Sequence, residues 1–369
     1  MSTNISRLNE RLHERIKLEG PISFRDWMEA ALYDPQEGYY QRANRVRWGR
    51  EGDYRTSPEK SVLFAATLAR YFARLYEELG SPNEWSIVES GAGAGHFAEI
   101  VLETLQARFP RVFSATRYFL DEISSDSPAE AEERLAKFGR QAQIRRLTDL
   151  VDLNQGIIFS NELIDAFPIH RVTVREGKLC EFFVDVSGSE NFEWRIGPPS
   201  THRLIDYCKR VGVRLVEGQI AEVNLEVEDW LRNARGRLGQ GYLITVDYGL
   251  EASELYSWPE ALGGRLRGYY RHQFVNNLLT HPGEYDITTT IDWTFVKSVA
   301  KELGMEIVEF ERQDRFLLNA GLLEELEERV SEAKDQGEKL RLRTTARDMI
   351  LPGGMATSFQ VLVLGKSGA

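Results

Sequence analysis

The chain has 369 residues, 42% hydrophobic and 28% charged, which is the balance of a globular protein with one large α/β domain carrying insertions or two smaller domains. Its formal net charge of −11 leaves no surplus of Lys and Arg to neutralise phosphates, which excludes broad nucleic-acid binding but suits a basic protein substrate. Cys180 and Cys208 are too few for a disulfide framework, the 6 histidines show no metal-ligand spacing, and no window approaches a membrane span.

From the N-terminus, residues 1–19 mix Arg with Glu10, Glu14 and Glu19, unlike an apolar signal peptide or an acid-poor transit peptide. The expectation is a cytoplasmic, bacterial protein; a mitochondrial matrix location would require a transit peptide missing from this chain. Ile5, Leu8, Leu12 and Ile16 recur at helical spacing until Gly20-Pro21. Ser23 then caps a short helix from Phe24 to Leu32, followed by the turn-rich Asp34-Pro35-Gln36-Glu37-Gly38-Tyr39-Tyr40. Pro58 to Leu79 reads as a long helix. The segment holding Tyr33, Gly38, Tyr39, Asp53 and Ser57 has more aromatics and glycines than a linker needs, and is expected to fold over a ligand site.

From Trp85 strand and helix alternate: strands at Ser86–Glu89, Arg117–Leu120 and Gly156–Ser160, helices at Ala98–Ala107 and Ser127–Lys137. Alternation of this kind predicts a parallel sheet covered on both faces. After Pro168 come three evenly spaced short strands, Ile169–Val174, Lys178–Val186 and Asn191–Ile196, predicting an antiparallel insertion. Helices at Thr201–Val211 and Ile220–Leu238 lead back to a strand at Gly241–Asp247. The last third supplies an extended segment at Tyr285–Ile291, a helix at Trp293–Leu303, a strand at Met305–Arg312, charged helices at Leu322–Arg347 and a final strand at Ser358–Gly365. The run Glu324–Glu328 reads as a solvated helix face.

The chemistry concentrates at Glu89-Ser90-Gly91-Ala92-Gly93-Ala94-Gly95, where a buried strand ends in an acid and enters a glycine-rich turn that opens a helix. Alternating glycines permit positive φ and let a ligand lie against the backbone, facing helix amides. The dinucleotide fingerprint fits Gly93, Gly95 and Ala98, so the glycines alone leave NAD and FAD open. Glu89 tips the balance, because a carboxylate there repels a pyrophosphate and suits the ammonium and sulfonium of S-adenosylmethionine. Tyr118-Phe119-Leu120-Asp121-Glu122 reads as the next strand, with Glu122 preferred over Asp121 as acceptor for the ribose hydroxyls. The cofactor-binding candidates are therefore Glu89, Gly91, Gly93, Gly95 and Glu122, with Ser57 from the N-terminal segment.

Asn161, Glu162 and Asp165 follow a buried strand at the edge where open α/β sheets bind ligands, and are the catalytic candidates. A guanidinium acceptor, with pKa above about 12, needs carboxylates that grip its nitrogens and steer it, a task for Glu162 with Asp165. Helix capping is the ordinary alternative for Asn161 and Asp165, whereas Glu caps poorly. Asp247, Tyr248, His272 and Asp286 are the substrate-binding candidates, and no metal site is expected.

These strings resemble the MidA family, the mitochondrial complex I assembly methyltransferases, along nearly the whole chain. The shared marks are Gly20-Pro21-Ile22-Ser23-Phe24, Leu32-Tyr33-Asp34-Pro35 with Gly38-Tyr39-Tyr40, Gly52-Asp53-Tyr54 with Thr56-Ser57-Pro58, and Glu89 to Gly95. Further marks are Asn161-Glu162 with Asp165-Ala166-Phe167-Pro168, Asp247-Tyr248-Gly249, Asp286-Ile287-Thr288 and Leu351-Pro352-Gly353-Gly354-Met355. The resemblance implies a class I methyltransferase fold, Rossmann-like, with a seven-stranded mostly parallel sheet, an N-terminal helical segment and an inserted antiparallel substrate region. It also implies S-adenosylmethionine as cofactor, and arginine methylation of a respiratory complex subunit as the activity of mitochondrial members. Domain boundaries are expected at 1–60 for the N-terminal segment, 61–168 with 241–369 for the core, and 169–240 for the insertion. Two departures stand out: His96-Phe97 where a small residue plus Leu is usual, and Thr290 where the family pattern has His, which removes any His-based role at that position. Two other readings stay open on the residues alone: a small-molecule methyltransferase with the insertion as lid, and an assembly protein that binds the cofactor with little catalysis.

Overall fold

The computed structural model describes residues 6–42, 62–125, 127–188, 191–257, 263–270, 273–351 and 358–366. The chain divides into two units, each built from three stretches: 1–55, 164–230 and 249–299 in an N-terminal unit, and 56–163, 231–248 and 300–369 in a parallel-sheet unit.

The strands of the parallel-sheet unit are, in chain order, β1 (Trp85–Ser90), β2 (Thr116–Asp121), β3 (Ala142–Ile144), β4 (Leu153–Asn161), β5 (Leu238–Leu250), β6 (Glu306–Arg312) and β7 (Phe359–Lys366). Across the sheet they lie in the order β6-β7-β5-β4-β1-β2-β3. All pairs from β3 to β5 are parallel, and β7 runs antiparallel to both β5 and β6. This is the mostly parallel α/β sheet expected from the strand–helix alternation. Central strands covered on both faces must be apolar on both, and Ile87, Val88, Ile157, Ile158, Phe159, Leu243, Ile244 and Val246 are all fully buried. Helices Val62–Glu78 and His96–Arg108 pack on one face, where Phe97 stacks on Phe159 at 4.6 Å between ring centroids and Phe72 meets the same ring edge-on.

Strand order reverses between β1 and β4, so the crossover helices diverge there and leave a crevice at the carboxyl ends. Register sets its rim: Ser90 pairs with Asp121 on one side and Ser160 on the other, and Asn161 pairs with Val246.

The acidic run at Glu324–Glu328 corrects the expectation of a wholly solvated face. Glu325, in helix Leu322–Glu332, is fully buried, and accepts hydrogen bonds from Arg70 at 2.8 Å and Arg329 at 2.6 Å. A buried charge persists only when paired in this way.

In the N-terminal unit, helices Arg7–Glu19 and Phe24–Tyr33 are capped by Ser6 and Ser23, whose hydroxyls accept from Asn9 and Asp26 amides. They accompany an antiparallel sheet of Ile22–Ser23, Lys178–Ser187, His170–Arg175 and Ile220–Val223, with Asn191–Gly197 also on Lys178–Ser187. Ile220–Val223 was expected to begin a helix. It pairs instead with His170–Thr173, and the helix starts only at Glu226, after Asn224 accepts the Val227 amide. A second sheet joins Arg267–Tyr270 to Asp286–Thr288 and Gln273–Phe274. Ile291–Asp292 pairs in parallel with Gly249-Leu250.

Candidate active site

Gly91, Gly93 and Gly95 adopt φ of 75°, 52° and 75°, the left-handed conformation that a side chain makes costly. The turn is hung from β2, since the Gly91 amide donates to the Asp121 carbonyl at 2.8 Å. Gly95 is the left-handed N-cap of helix His96–Arg108, so the first amides of that helix face the end of β1. A Cβ at Gly95 would stand 3.2 Å from both Ala131 and Leu120, and one at Gly91 would stand 3.0 Å from Leu163. These two glycines are thus required by packing as well as by backbone angle, a reason that the spacing alone did not reveal.

Two acids flank the turn. Glu89 is buried near the tip of β1, and its Oε2 accepts the Tyr118 hydroxyl at 2.7 Å. Glu122, half-buried just past β2, accepts the Gly93 amide at 2.7 Å on Oε2, and the Ile123 and Ser124 amides at 2.8 and 2.7 Å on Oε1. It is therefore fixed against the glycine turn rather than extended into solvent. Asp121 is engaged differently: Arg146 sits 3.0 Å from its Oδ1 and the Ser90 hydroxyl donates to its Oδ2 at 3.2 Å. Burial pushes the Asp121 carboxyl above its ordinary value, against the pull of Arg146. Of the two adjacent acids, Asp121 is thus tied into the sheet edge and Glu122 faces the turn.

Sequence reasoning missed Tyr118, Arg134 and Arg146. Arg134 donates to the Ala94 carbonyl at 2.9 Å and pairs with Glu99 at 3.1 Å, bracing the turn from helix Ser127–Leu135. Arg146 also donates to the Glu122 carbonyl at 3.3 Å. No local motif announces such contacts; the one signal was Tyr118 itself, a phenol in a strand predicted to be buried.

At the end of β4, Asn161 donates to Glu162 Oε1 at 3.4 Å, and the Glu162 amide donates to the Val246 carbonyl at 2.9 Å. Glu162 has φ of 48°, one of three non-glycine residues with positive φ among those described. A glutamate in that region costs on the order of 1–3 kcal/mol, a strain that concentrates at functional sites. Asp247 is fully buried and accepts the Tyr248 amide at 2.9 Å, while the Tyr248 ring meets Phe359 edge-on at 5.4 Å. Glu89, the three glycines, Glu122, Asn161, Glu162, Asp247 and Tyr248 thus all lie on the carboxyl side of one sheet.

Asp165 and Asp286 belong to the N-terminal unit. Asp165 lies inside the single turn Ile164–Ala166, which corrects the alternative that it caps a following helix; its carbonyl accepts the Thr289 amide at 3.0 Å. Asp286 is buried and accepts the Tyr40 hydroxyl at 3.0 Å, and Tyr33 donates to the Ala166 carbonyl at 2.9 Å. Three strings distant in sequence, Tyr33 to Tyr40, Asp165 to Pro168 and Asp286 to Thr289, are therefore laced together. Ser57, His272 and Asp53 lie outside the described residues.

A reversing parallel sheet closed by an antiparallel strand, with a glycine turn between two acids, defines a class I S-adenosylmethionine-dependent methyltransferase. The S-adenosyl-L-methionine-dependent methyltransferase family model matches residues 67–311, and the chain belongs to that family, the MidA family of the sequence resemblance. It is 25% identical to the Drosophila melanogaster protein arginine methyltransferase NDUFAF7 homolog, mitochondrial, over 97% of this chain and 84% of that one. To the Rattus norvegicus protein arginine methyltransferase NDUFAF7 it is 24% identical, over 98% and 85%. A proposed methyl transferase from Burkholderia thailandensis, solved with S-adenosyl-homocysteine, superposes with a TM-score of 0.86 at 26% identity, over 97% of this chain and 92% of that one. S-adenosylmethionine is the cofactor. No described helix is long and apolar enough to cross a membrane.

Proposed function

We propose that the chain methylates an arginine side chain of a protein, with Glu89, Gly91, Gly93, Gly95 and Glu122 holding the cofactor and Glu162 holding the acceptor. Ser57 is assigned to the cofactor, and Asp247, Tyr248, Asp286 and His272 to acceptor recognition. The observation that carries the acceptor assignment is the left-handed backbone of Glu162 at the sheet's carboxyl edge. Support for arginine comes from the relatives, which are named as protein arginine methyltransferases.

The residues suit the cofactor: Glu89 and Glu122 provide acceptors for its ammonium and hydroxyl donors, and the glycine turn offers backbone amides. When bound, S-adenosylmethionine supplies an electrophilic methyl group on a sulfonium sulfur. A guanidinium offers five N–H donors and no acceptor, so it must be held by carboxylate and must lose a proton during or after transfer. Glu162 accepts two of those donors and takes the proton at its carboxylate, with Asn161 steadying Oε1. Asp165 is assigned to acceptor recognition as a further carboxylate. The acceptor is proposed to be a protein; an assembly role beside a respiratory complex is what the resemblance implies, and a bacterial cytoplasmic location is what the composition suggests.

The test is transfer of isotope-labelled methyl from S-adenosylmethionine to proteins of cells lacking the gene, read by mass spectrometry. Label on arginine nitrogens is the expected result. Label recovered only in small molecules would overturn the reading.

A further inference from the structure

Tyr118 is fully buried in β2, within the apolar cluster that includes Trp85, Ile87, Phe97 and Phe159. A phenol in such a place needs a partner for its hydroxyl, because an unpaired polar group away from water is costly. Among the described residues that partner is Glu89 Oε2 at 2.7 Å, a distance typical of a charge-assisted bond. The Cα of Tyr118 pairs with Ile87 and that of Leu120 with Glu89, so the ring leans along the sheet by two residues to reach the acid. Burial and the neighbouring Glu89 charge push the Tyr118 hydroxyl well above its ordinary range, so it remains a donor at any working pH.

We infer that Tyr118 is a positioning residue for the cofactor: through its hydrogen bond it fixes the Glu89 carboxylate, and so sets affinity for the cationic S-adenosylmethionine. This rests on the assignment of Glu89 to the cofactor made above. Tyr118 touches no reacting atom. Its contribution is to replace the water that would otherwise solvate a buried carboxylate and to limit that carboxylate to one orientation, ordered before the ligand arrives.

The test is a double-mutant cycle read by calorimetry with S-adenosylmethionine, with thermal midpoints measured for each variant. Tyr118→Phe keeps the ring and removes the donor. It is expected to weaken binding about ten-fold, the scale of one hydrogen bond to a charged group. In turnover, the KM for S-adenosylmethionine rises while kcat at saturation stays near wild type. Glu89→Gln alone is expected to weaken binding by about ten-fold or more, and adding Tyr118→Phe to it should change affinity by no more than about two-fold, because the second loss acts through the first. Fully additive losses, or a Tyr118→Phe chain that does not fold, would make Tyr118 a structural residue and overturn the inference. Weak binding by Glu89→Gln with wild-type affinity in Tyr118→Phe would also overturn it, and leave the cofactor assignment standing. Wild-type affinity in both variants would remove Glu89 from the cofactor site altogether.

Discussion

The two units are specified in different ways. In the parallel-sheet unit the site follows from backbone: strand order creates the crevice, register levels the strand tips, and positive φ at three glycines shapes the turn. In the N-terminal unit the strings that carry the family resemblance are joined through side-chain hydroxyls, Tyr33 to the Ala166 carbonyl and Tyr40 to the Asp286 carboxylate. A site made by backbone tolerates most side-chain changes and fails at a glycine. One laced by side chains loses about a hydrogen bond at each change.

The largest expected effect lies in the turn. Gly93→Val places a β-branched residue at φ of 52° and should weaken S-adenosylmethionine binding by about 100-fold or more in calorimetry. A valine variant that binds like wild type would show that the turn does not shape the site. Next comes a charge rather than a backbone in the same unit: Glu325→Gln leaves Arg70 and Arg329 without a buried counter-charge and should cost about 2–4 kcal/mol in denaturant unfolding. In the N-terminal unit, Tyr40→Phe removes one hydroxyl from Asp286 and should cost about 1–2 kcal/mol. A loss as large as that of Glu325→Gln would erase the contrast between the units.

The smallest effect concerns pH. Burial raises the Asp292 carboxyl above its ordinary 3.8, with the Tyr207 hydroxyl at 2.5 Å opposing the rise. The folded state therefore binds more protons than the unfolded one above that value, and Asp292 makes stability fall as pH rises through the window. Asp292→Asn should flatten that decline as pH rises above 3.8, as read by thermal midpoints. An unchanged slope would mean that Asp292 titrates alike in both states.

Much of this was legible in sequence for physical reasons. Buried parallel strands read as apolar runs, and an acid followed by alternating glycines marks a turn that only glycine allows. What escaped reading depends on distant pairing. Ile220–Val223 became a strand because His170–Thr173 lies beside it, and no local pattern specifies that neighbour. Glu325 looked solvated because its arginine partner Arg70 is 255 residues away in sequence. Capping stayed open as an alternative for Asp165 because the turn that contains it is only three residues long. The role of Glu162 was proposed from its chemistry, but its backbone strain was invisible to composition or periodicity.

The central claim is that Glu162 grips and deprotonates an arginine acceptor beside a cofactor site it does not itself build. The most direct measurement compares wild type and Glu162→Gln in methyl transfer to the arginine found by labelling, with cofactor affinity measured on the same samples. The account expects transfer to fall by about 100-fold or more with S-adenosylmethionine affinity within about two-fold of wild type. Wild-type turnover in Glu162→Gln would contradict it and move the acceptor site toward Asp247 or Asp286.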